Sequence, residues 1–239
     1  MAHRSQSLYL IPNFLGEAAS ETIFPSYNIS VLEHVRFFLA ENPKEARRLL
    51  KTTCPQLNLQ SIAIETLNKN TTDDELTTLM KPAIAGHSMG IISDAGCPAV
   101  ADPGSRAVMY AHQHGISVKP LIGPCSMLLA LMASGLYGQR WCFRGYLPID
   151  VETRSKMLNQ LEIRSQKEQE TQIFMETPYR NQKLFEQIKA TCNPSTFLCI
   201  AQDLTTPQEL IQTKCIEDWN RSETTLRKAP AVFLLASGL

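Results

Sequence analysis

Short apolar runs alternate along the chain with longer segments of helical period. Leu8-Tyr9-Leu10-Ile11 is a run of strand length, stopped by Pro12, which has no N–H to give a ladder. Residues 28–32 read as a second strand. Residues 33–51 read as mostly helical, interrupted at Asn42-Pro43, with Val35, Phe38, Leu39, Leu49 and Leu50 as the buried positions. Residues 62–64 read as a short strand. Residues 73–80 read as a short helix whose acidic first turn suits the helix dipole. Residues 90–93 form a strand that runs into a loop. Residues 103–114 form a helix with proline at its start and Gly115 just past its end. A strand follows over residues 116–121.

The second half repeats the rhythm. Residues 124–134 are almost wholly apolar, which predicts a helix buried on all sides. Strands are expected over residues 141–143, 171–175, 196–201 and 231–236, with residues 209–213 pairing beside the third of these. Helices are expected over residues 151–169 and 179–190. Alternating strands and helices predict α/β layers with mostly parallel sheets. A chain of 239 residues allows one large domain or two small ones at about 150 residues each. The proline- and glycine-bearing stretch 120–124 is the expected boundary, giving domains over residues 1–120 and 121–239.

Charge narrows the function classes. Lys+Arg and Asp+Glu both number 23, so no net field draws the protein onto nucleic acid, and an RNA substrate would need a local basic patch. The seven cysteines are odd in number and include no CxxC pair, which speaks against a disulfide framework or a zinc ribbon and for reduced thiols in the cytoplasm. Residues 1–6 are followed by no apolar stretch of signal-peptide length, and no run approaches the ~18 apolar residues of a membrane span. A membrane role is therefore not expected.

Three segments carry candidate chemistry. In Gly90-Ile-Ile-Ser-Asp-Ala-Gly-Cys-Pro-Ala-Val-Ala-Asp-Pro-Gly-Ser105, small residues follow a strand end. Backbone amides can there approach a carboxylate, and Asp94 can accept from an ammonium or hydroxyl group. That suits the methionine part of an adenosylmethionine. A tight strand-to-helix turn capped by Asp102 explains the same residues. In Leu121-Ile-Gly-Pro-Cys-Ser-Met127, the chain turns into a helix whose first turn can hold a polar ligand group or can simply be capped. In Ile173-Phe-Met-Glu-Thr-Pro-Tyr-Arg180, Glu176 and Arg180 can pair to fix a corner.

Taken in order, Ile92-Ser-Asp-Ala-Gly-Cys-Pro-Ala-Val-Ala-Asp-Pro-Gly104, Pro120-Leu-Ile-Gly-Pro-Cys125, Arg144-Gly-Tyr-Leu-Pro148 and Ile173-Phe-Met-Glu-Thr-Pro-Tyr-Arg180 resemble successive signatures of one family. It is the ribosomal RNA small-subunit methyltransferase I family, among the tetrapyrrole-methylase-like (class III) methyltransferases. Ser7-Leu-Tyr-Leu-Ile-Pro12, with Gly16 after it, resembles the first strand of that family.

The resemblance implies two α/β/α domains of the tetrapyrrole-methylase type, with S-adenosyl-L-methionine bound in the cleft between them, a homodimer, and no metal. It implies donor contacts from Pro12, from the loop Ser93, Asp94, Ala95, Gly96, Cys97 and Pro98, and from Pro124, Cys125 and Ser126. Second-domain strand ends at Met175, Leu204, Pro230 and Ala231 complete the set. The acceptor it implies is a ribose 2'-hydroxyl of small-subunit ribosomal RNA.

The first block departs from the family. Asn13-Phe14-Leu15-Gly16-Glu17-Ala18 stands where the pattern is Thr-Pro-Ile-Gly-Asn-Leu. The pattern Ala-Glu-Asp-Thr-Arg, expected on the second strand and helix, is matched to Leu32-Glu33-His34-Val35-Arg36. On that matching, Glu33 and His34 are the candidate bases, and Arg36 with Arg144 the candidate substrate contacts. His34 is equally read as a surface or capping histidine. Arg47, Arg48, Arg140, Arg144, Arg154 and Lys156 are either a phosphate-binding patch or a solvated surface. The chain stops at Leu239, before the helical extension of longer members. Two other readings stay open: a small planar acceptor such as a tetrapyrrole, or a non-catalytic member that serves as an interaction module.

Overall fold

The computed structural model describes residues 6–16 and 23–239. Glu17 and Ala18 of the altered first block, and residues 1–5, lie outside them. The chain forms two compact units, Met1–Cys125 and Ser126–Leu239.

The first unit is built on strands β1 (Ser7–Ile11), β2 (Phe37–Ala40), β3 (Ala63–Thr66), β4 (Met89–Ile92) and β5 (Ser117–Pro120), all parallel in the order β3-β2-β4-β1-β5. A parallel sheet is covered on both faces, so its inner strands β1, β2 and β4 are continuous apolar runs rather than alternating ones, while the edge strands β3 and β5 are more polar. Successive residues feed opposite cores. Tyr9, Ile11, Phe38 and Ile92 pack on one face with Leu49 and Leu50, while Leu8, Leu39 and Ile91 pack on the other with Ala107 and Ala111. Gly90 lies at the centre of the sheet because a Cβ there would come within 2.6 Å of Ile11 Cδ1 and 2.8 Å of Phe38 Cδ1.

The covering helices are α1 (Ser26–His34), α2 (Pro43–Thr53), α3 (Asp73–Leu79), α4 (Lys81–Ile84) and α5 (Ser105–Gln113). Two expectations are corrected here. Residues 28–32 are helix, not strand, since the buried positions Asn28, Val31 and Leu32 recur at i, i+3 and i+4. Residues 33–51 are not one helix, because Phe37–Ala40 is the strand β2, whose Phe38, Leu39 and Ala40 are buried on alternate faces. Asn42-Pro43 is then a helix start rather than an interruption. The Asn42 side chain accepts from Lys44 N at 3.1 Å, and Pro43 occupies a first-turn position where its missing N–H costs nothing. Thr72 and Glu75 close a capping box on α3.

The second unit holds α6 (Ser126–Ser134), β6 (Trp141–Tyr146), α7 (Val151–Glu168), β7 (Thr171–Glu176), α8 (Asn181–Thr191), β8 (Phe197–Gln202), β9 (Leu210–Cys215), α9 (Ile216–Arg221) and β10 (Ala231–Ala236). Its sheet runs β6-β7-β10-β8-β9, and only β6 and β7 are parallel. The expectation of mostly parallel sheets therefore fails for this unit. The connection over residues 203–209 is too short for a crossover helix and returns β9 antiparallel to β8. The central strand β10 is buried along its whole length. Helix α6 is also not buried all round. Met127, Ala130, Leu131 and Ser134 face inward at i, i+3, i+4 and i+7, while Met132 is 81% exposed. Among the described residues no helix is long and apolar enough to cross a membrane.

The core of the second unit centres on Phe174, Phe185, Phe233 and Trp219. Phe174 and Phe233 stack at 5.8 Å, Trp219 meets Phe185 edge-on at 5.2 Å, and its indole N–H donates to Leu198 O at 2.9 Å. Both tryptophans of the chain lie in this unit, so indole fluorescence reports on it alone. Phe233→Ala removes a fully buried ring and is expected to cost about 3–5 kcal/mol, read as a lowered urea midpoint by tryptophan fluorescence. An unshifted midpoint would contradict this account of the core.

Candidate active site

In the first unit, Ile11 and Ala40 both lie level with Ile92, and Pro120 lies level with Leu10. The segments 12–16, 41–42, 93–98 and 121–125 therefore leave one edge together, the carboxyl edge of a parallel sheet. Open α/β sheets bind ligands there.

The loop after β4 is held from both sides. Asn13 is buried, and its side chain donates to Ser93 O at 3.0 Å and Asp94 O at 3.2 Å while accepting from Phe14 N at 2.8 Å. Its backbone exchanges hydrogen bonds with Gly96, N to O at 2.9 Å and O to N at 3.1 Å. Gly96 takes φ +72°, where a side chain would be strained. On the far side Asp102 accepts from Ser93 Oγ at 2.9 Å and from Ala99 N and Gly104 N, each at 3.3 Å. Those bonds hold Ala99 and Ala101 at positive φ, an arrangement alanine does not adopt unaided. The chain entering from β5 packs under the loop: Cys97 Sγ donates to Pro124 O at 3.5 Å, and a Cβ on Gly123 would lie 2.4 Å from Pro12 Cβ.

The edge is acidic. Burial raises the Asp94 carboxyl above its ordinary pKa. The N–H of Asn42, 3.1 Å from Asp94 Oδ1, partly offsets this, and Asp102 and Glu45 add to the rise. Burial also raises Glu41, helped by Asp94 and Asp102 and opposed by Lys69. The Cys97 thiol is raised by burial and by the adjacent Cys125 thiol.

The structure brings Pro12, Ser93, Asp94, Ala95, Gly96, Cys97, Pro98, Pro124 and Cys125 together at this edge, while Ser126 begins α6 in the second unit. Within the second unit, Glu176 and Gln202 both pair with Ala231, so the segments bearing Met175, Leu204 and Pro230 share one edge of its sheet. Gln202 and Asn181 each donate to both Arg227 O and Ala229 O and so fix the strand approaching Pro230. Glu176 is buried and ion-paired to Arg180 at 2.7 Å, which makes that motif a structural corner.

Glu33, His34 and Arg36 are not brought to the loop. They precede β2, whose first residue lies level with Met89, so they sit at the amino edge, a strand's length from Ser93. His34 Nδ1 meets Ser30 O at 2.6 Å, and Arg36 donates to Glu33 O and Val35 O, closing the end of α1. The matching of the second-strand pattern is corrected accordingly. That pattern spans the end of the second strand and the start of a helix, positions filled by Ala40-Glu41-Asn42-Pro43-Lys44. Glu41 thus stands beside the loop 93–98 where Glu33 was expected, and the adjacent Asp of the pattern becomes Asn42, not His34. The signal that could have found it was the Ala40-Glu41 dipeptide at the end of an apolar run just before an Asn-Pro helix start. Asn13 was noted only as a departure, and its buried joint was missed.

The basic patch also dissolves, Arg47 excepted. Arg154 is buried against Gln187. Arg144 is held by Glu170 and Gln172, Arg140 by Glu168, Lys156 by Glu152 and Arg48 by Glu45.

Two measurements test this site. Asn13→Ala strands two carbonyls and one amide, and is expected to lower stability by about 1–3 kcal/mol in thermal or urea unfolding of the first unit. A neutral effect would show that the joint bears no load. Glu41 and Asp94 have raised pKa values in the fold, so their contribution to stability is complete below the ordinary carboxylate pKa and is lost as pH rises through the raised value. Glu41→Gln is therefore expected to raise Tm near pH 7 and to leave it unchanged near pH 4, as scanning calorimetry at the two pH values can check. A gain confined to acid pH would reverse the sign and refute the argument.

Comparison with known proteins gives the lineage. No protein-family model matches the chain. A ribosomal RNA small subunit methyltransferase I from Buchnera aphidicola subsp. Baizongia pistaciae is 30% identical over 233 residues, 96% of this chain and 75% of that protein. The protein of the same name from Escherichia coli O157:H7 is 29% identical over 231 residues, 95% of this chain and 77% of that protein. Among solved structures, the methyltransferase CobJ superposes with TM-score 0.63 at 17% identity, over 98% of this chain and 95% of that one. Uroporphyrin-III C-methyl transferase from Thermus thermophilus, complexed with S-adenosyl homocysteine, gives 0.54 at 17% identity over 97% and 98%. The two structures carry the fold: an α/β architecture of the tetrapyrrole-methylase type. With that fold, and with the identity to the Buchnera protein running nearly end to end, the chain belongs to the ribosomal RNA small subunit methyltransferase I family.

Proposed function

We propose that this protein is an S-adenosyl-L-methionine-dependent methyltransferase that modifies the ribose 2'-hydroxyl of a small-subunit ribosomal RNA nucleotide, working in the cytoplasm as a homodimer. The observation that carries the reading is the loop 93–98, pinned at the carboxyl edge of the first sheet and lined by acids. The donor bears a positive sulfonium and an ammonium group. Asp94, whose carboxyl is raised by burial and by its acidic neighbours, supplies the opposite charge at this edge. Bound there, the donor supplies an already activated methyl group, and the protein's part is alignment and electrostatics.

The RNA reading draws support from α2. Lys44, Arg47 and Lys51 are exposed at i, i+3 and i+7, one stripe that starts beside Asn42 at the same edge. These three replace the paired arginines as the local phosphate contact that a chain of zero net charge requires.

Calorimetry with S-adenosylmethionine tests the donor, and absence of binding at millimolar ligand would end the enzyme reading. Transfer of labelled methyl into small ribosomal subunits from a strain lacking the gene tests the acceptor. Label is expected in ribosomal RNA, on ribose. Tight donor binding without incorporation would end the RNA assignment.

A further inference from the structure

Among the described residues, four carboxylates gather at the carboxyl edge of the first sheet, and three are committed to the scaffold. Asp94 Oδ1 accepts the Asn42 N–H at 3.1 Å. Asp102 accepts the Ser93 hydroxyl and two backbone amides. Glu45 pairs with Arg48 at 2.9 Å. The fourth, Glu41, follows β2 directly and is solvent-exposed, and among the described residues no hydrogen bond or ion pair holds its carboxylate. Ala40 is the register partner of Ile92, so Glu41 stands level with Ser93 on the neighbouring strand, about 5 Å away across the ladder.

We infer that Glu41 is the general base of the methyl transfer, its free carboxylate taking the proton of the acceptor hydroxyl beside the loop 93–98. The inference rests on the methyltransferase reading above. The acceptor oxygen forms its bond to the methyl carbon as the carbon–sulfur bond breaks and that electron pair stays on sulfur. The hydroxyl proton passes to the Glu41 carboxylate and from there to water. No oxidant or metal enters the balance.

The surroundings of Glu41 suit the role. Partial desolvation, Asp94 and Asp102 raise its pKa, and Lys69 opposes them, which brings the carboxylate closer to the range in which a base works at neutral pH. Asp94, the other accessible acid, is kept from the task by its bond to Asn42, and Glu45 acts on it only as a neighbouring charge.

The test compares wild type, Glu41→Gln and Glu41→Asp on small ribosomal subunits, with the affinity for S-adenosylhomocysteine measured by calorimetry. For Glu41→Gln, kcat is expected to fall about a hundredfold or more, while the Kd for S-adenosylhomocysteine stays within about threefold of wild type. Glu41→Asp is expected to recover part of the loss. In wild type, kcat rises with pH through the raised carboxylate pKa, and Glu41→Gln loses that limb. A Glu41→Gln enzyme within about threefold of wild-type kcat overturns the proposal. So does a loss confined to product affinity, which would make Glu41 a donor contact. Wild type that binds S-adenosylhomocysteine yet methylates no subunit fails the parent reading as well, an outcome separable from any difference between the variants.

Discussion

A loop of small residues has little side-chain surface with which to hold a shape, so residues 93–98 depend on polar partners at both ends. The Asn13 carboxamide supplies three bonds at one end and the Asp102 carboxylate three at the other. Each is expensive to remove, because an unsatisfied buried amide or carbonyl loses its water without gaining a partner. The rest of the edge follows from this pinning. With Ser93 and Asp94 fixed from below, the Asp94 side chain can reach across to the Asn42 N–H at the start of α2. With Gly96 bridged to Asn13, Cys97 is laid against the turn at Pro124. Close packing of Gly123 on Pro12 ties the exits of β1 and β5 together beneath it. The backbone strain at Ala99 and Ala101 is sustained by Asp102 and is the cost of aiming the loop outward.

The same arrangement concentrates negative charge. Asp94 and Glu41 each hold a proton more readily than a free carboxylate, through burial first and neighbouring carboxylates after it. The basic residues complement them at a distance. Those nearest acids are spent on ion pairs, as with Arg144 on Glu170, while Lys44, Arg47 and Lys51 stay exposed on α2.

Much of this was legible in the sequence, for reasons that differ by element. The strands β1, β4, β7, β8 and β10 are short apolar runs bounded by polar or turn residues, and a buried strand permits little else. The loop 93–98 stood out because its small residues form one block in an ordered series extending over most of the chain. What misled was local. Residues 28–32 and 37–40 are both apolar and short, and only the three-dimensional partners of Asn28, Val31 and Leu32 distinguish helix from strand. That exchange moved the second strand by a few residues and carried Glu33, His34 and Arg36 into positions they do not hold. The basic patch failed for another reason: sequence counts charges but not partners, and Arg154 is buried against a glutamine far along the chain.

Register thus decides chemistry at this edge. A carboxylate at the amino end of β2 and one at its carboxyl end differ by four residues of strand, roughly 13 Å. That is far beyond the reach of a hydrogen bond to an acceptor placed beside Ser93. Glu33 and Glu41 are alike in residue type and in the apolar company they keep, yet the ladder between Ala40 and Ile92 leaves Glu41 alone on the side of the loop. The assignment of the base is therefore a statement about strand pairing before it is one about acidity. The raised pKa of Glu41 follows from the same pairing, since the neighbours that raise it, Asp94 and Asp102, arrive on the loop leaving β4.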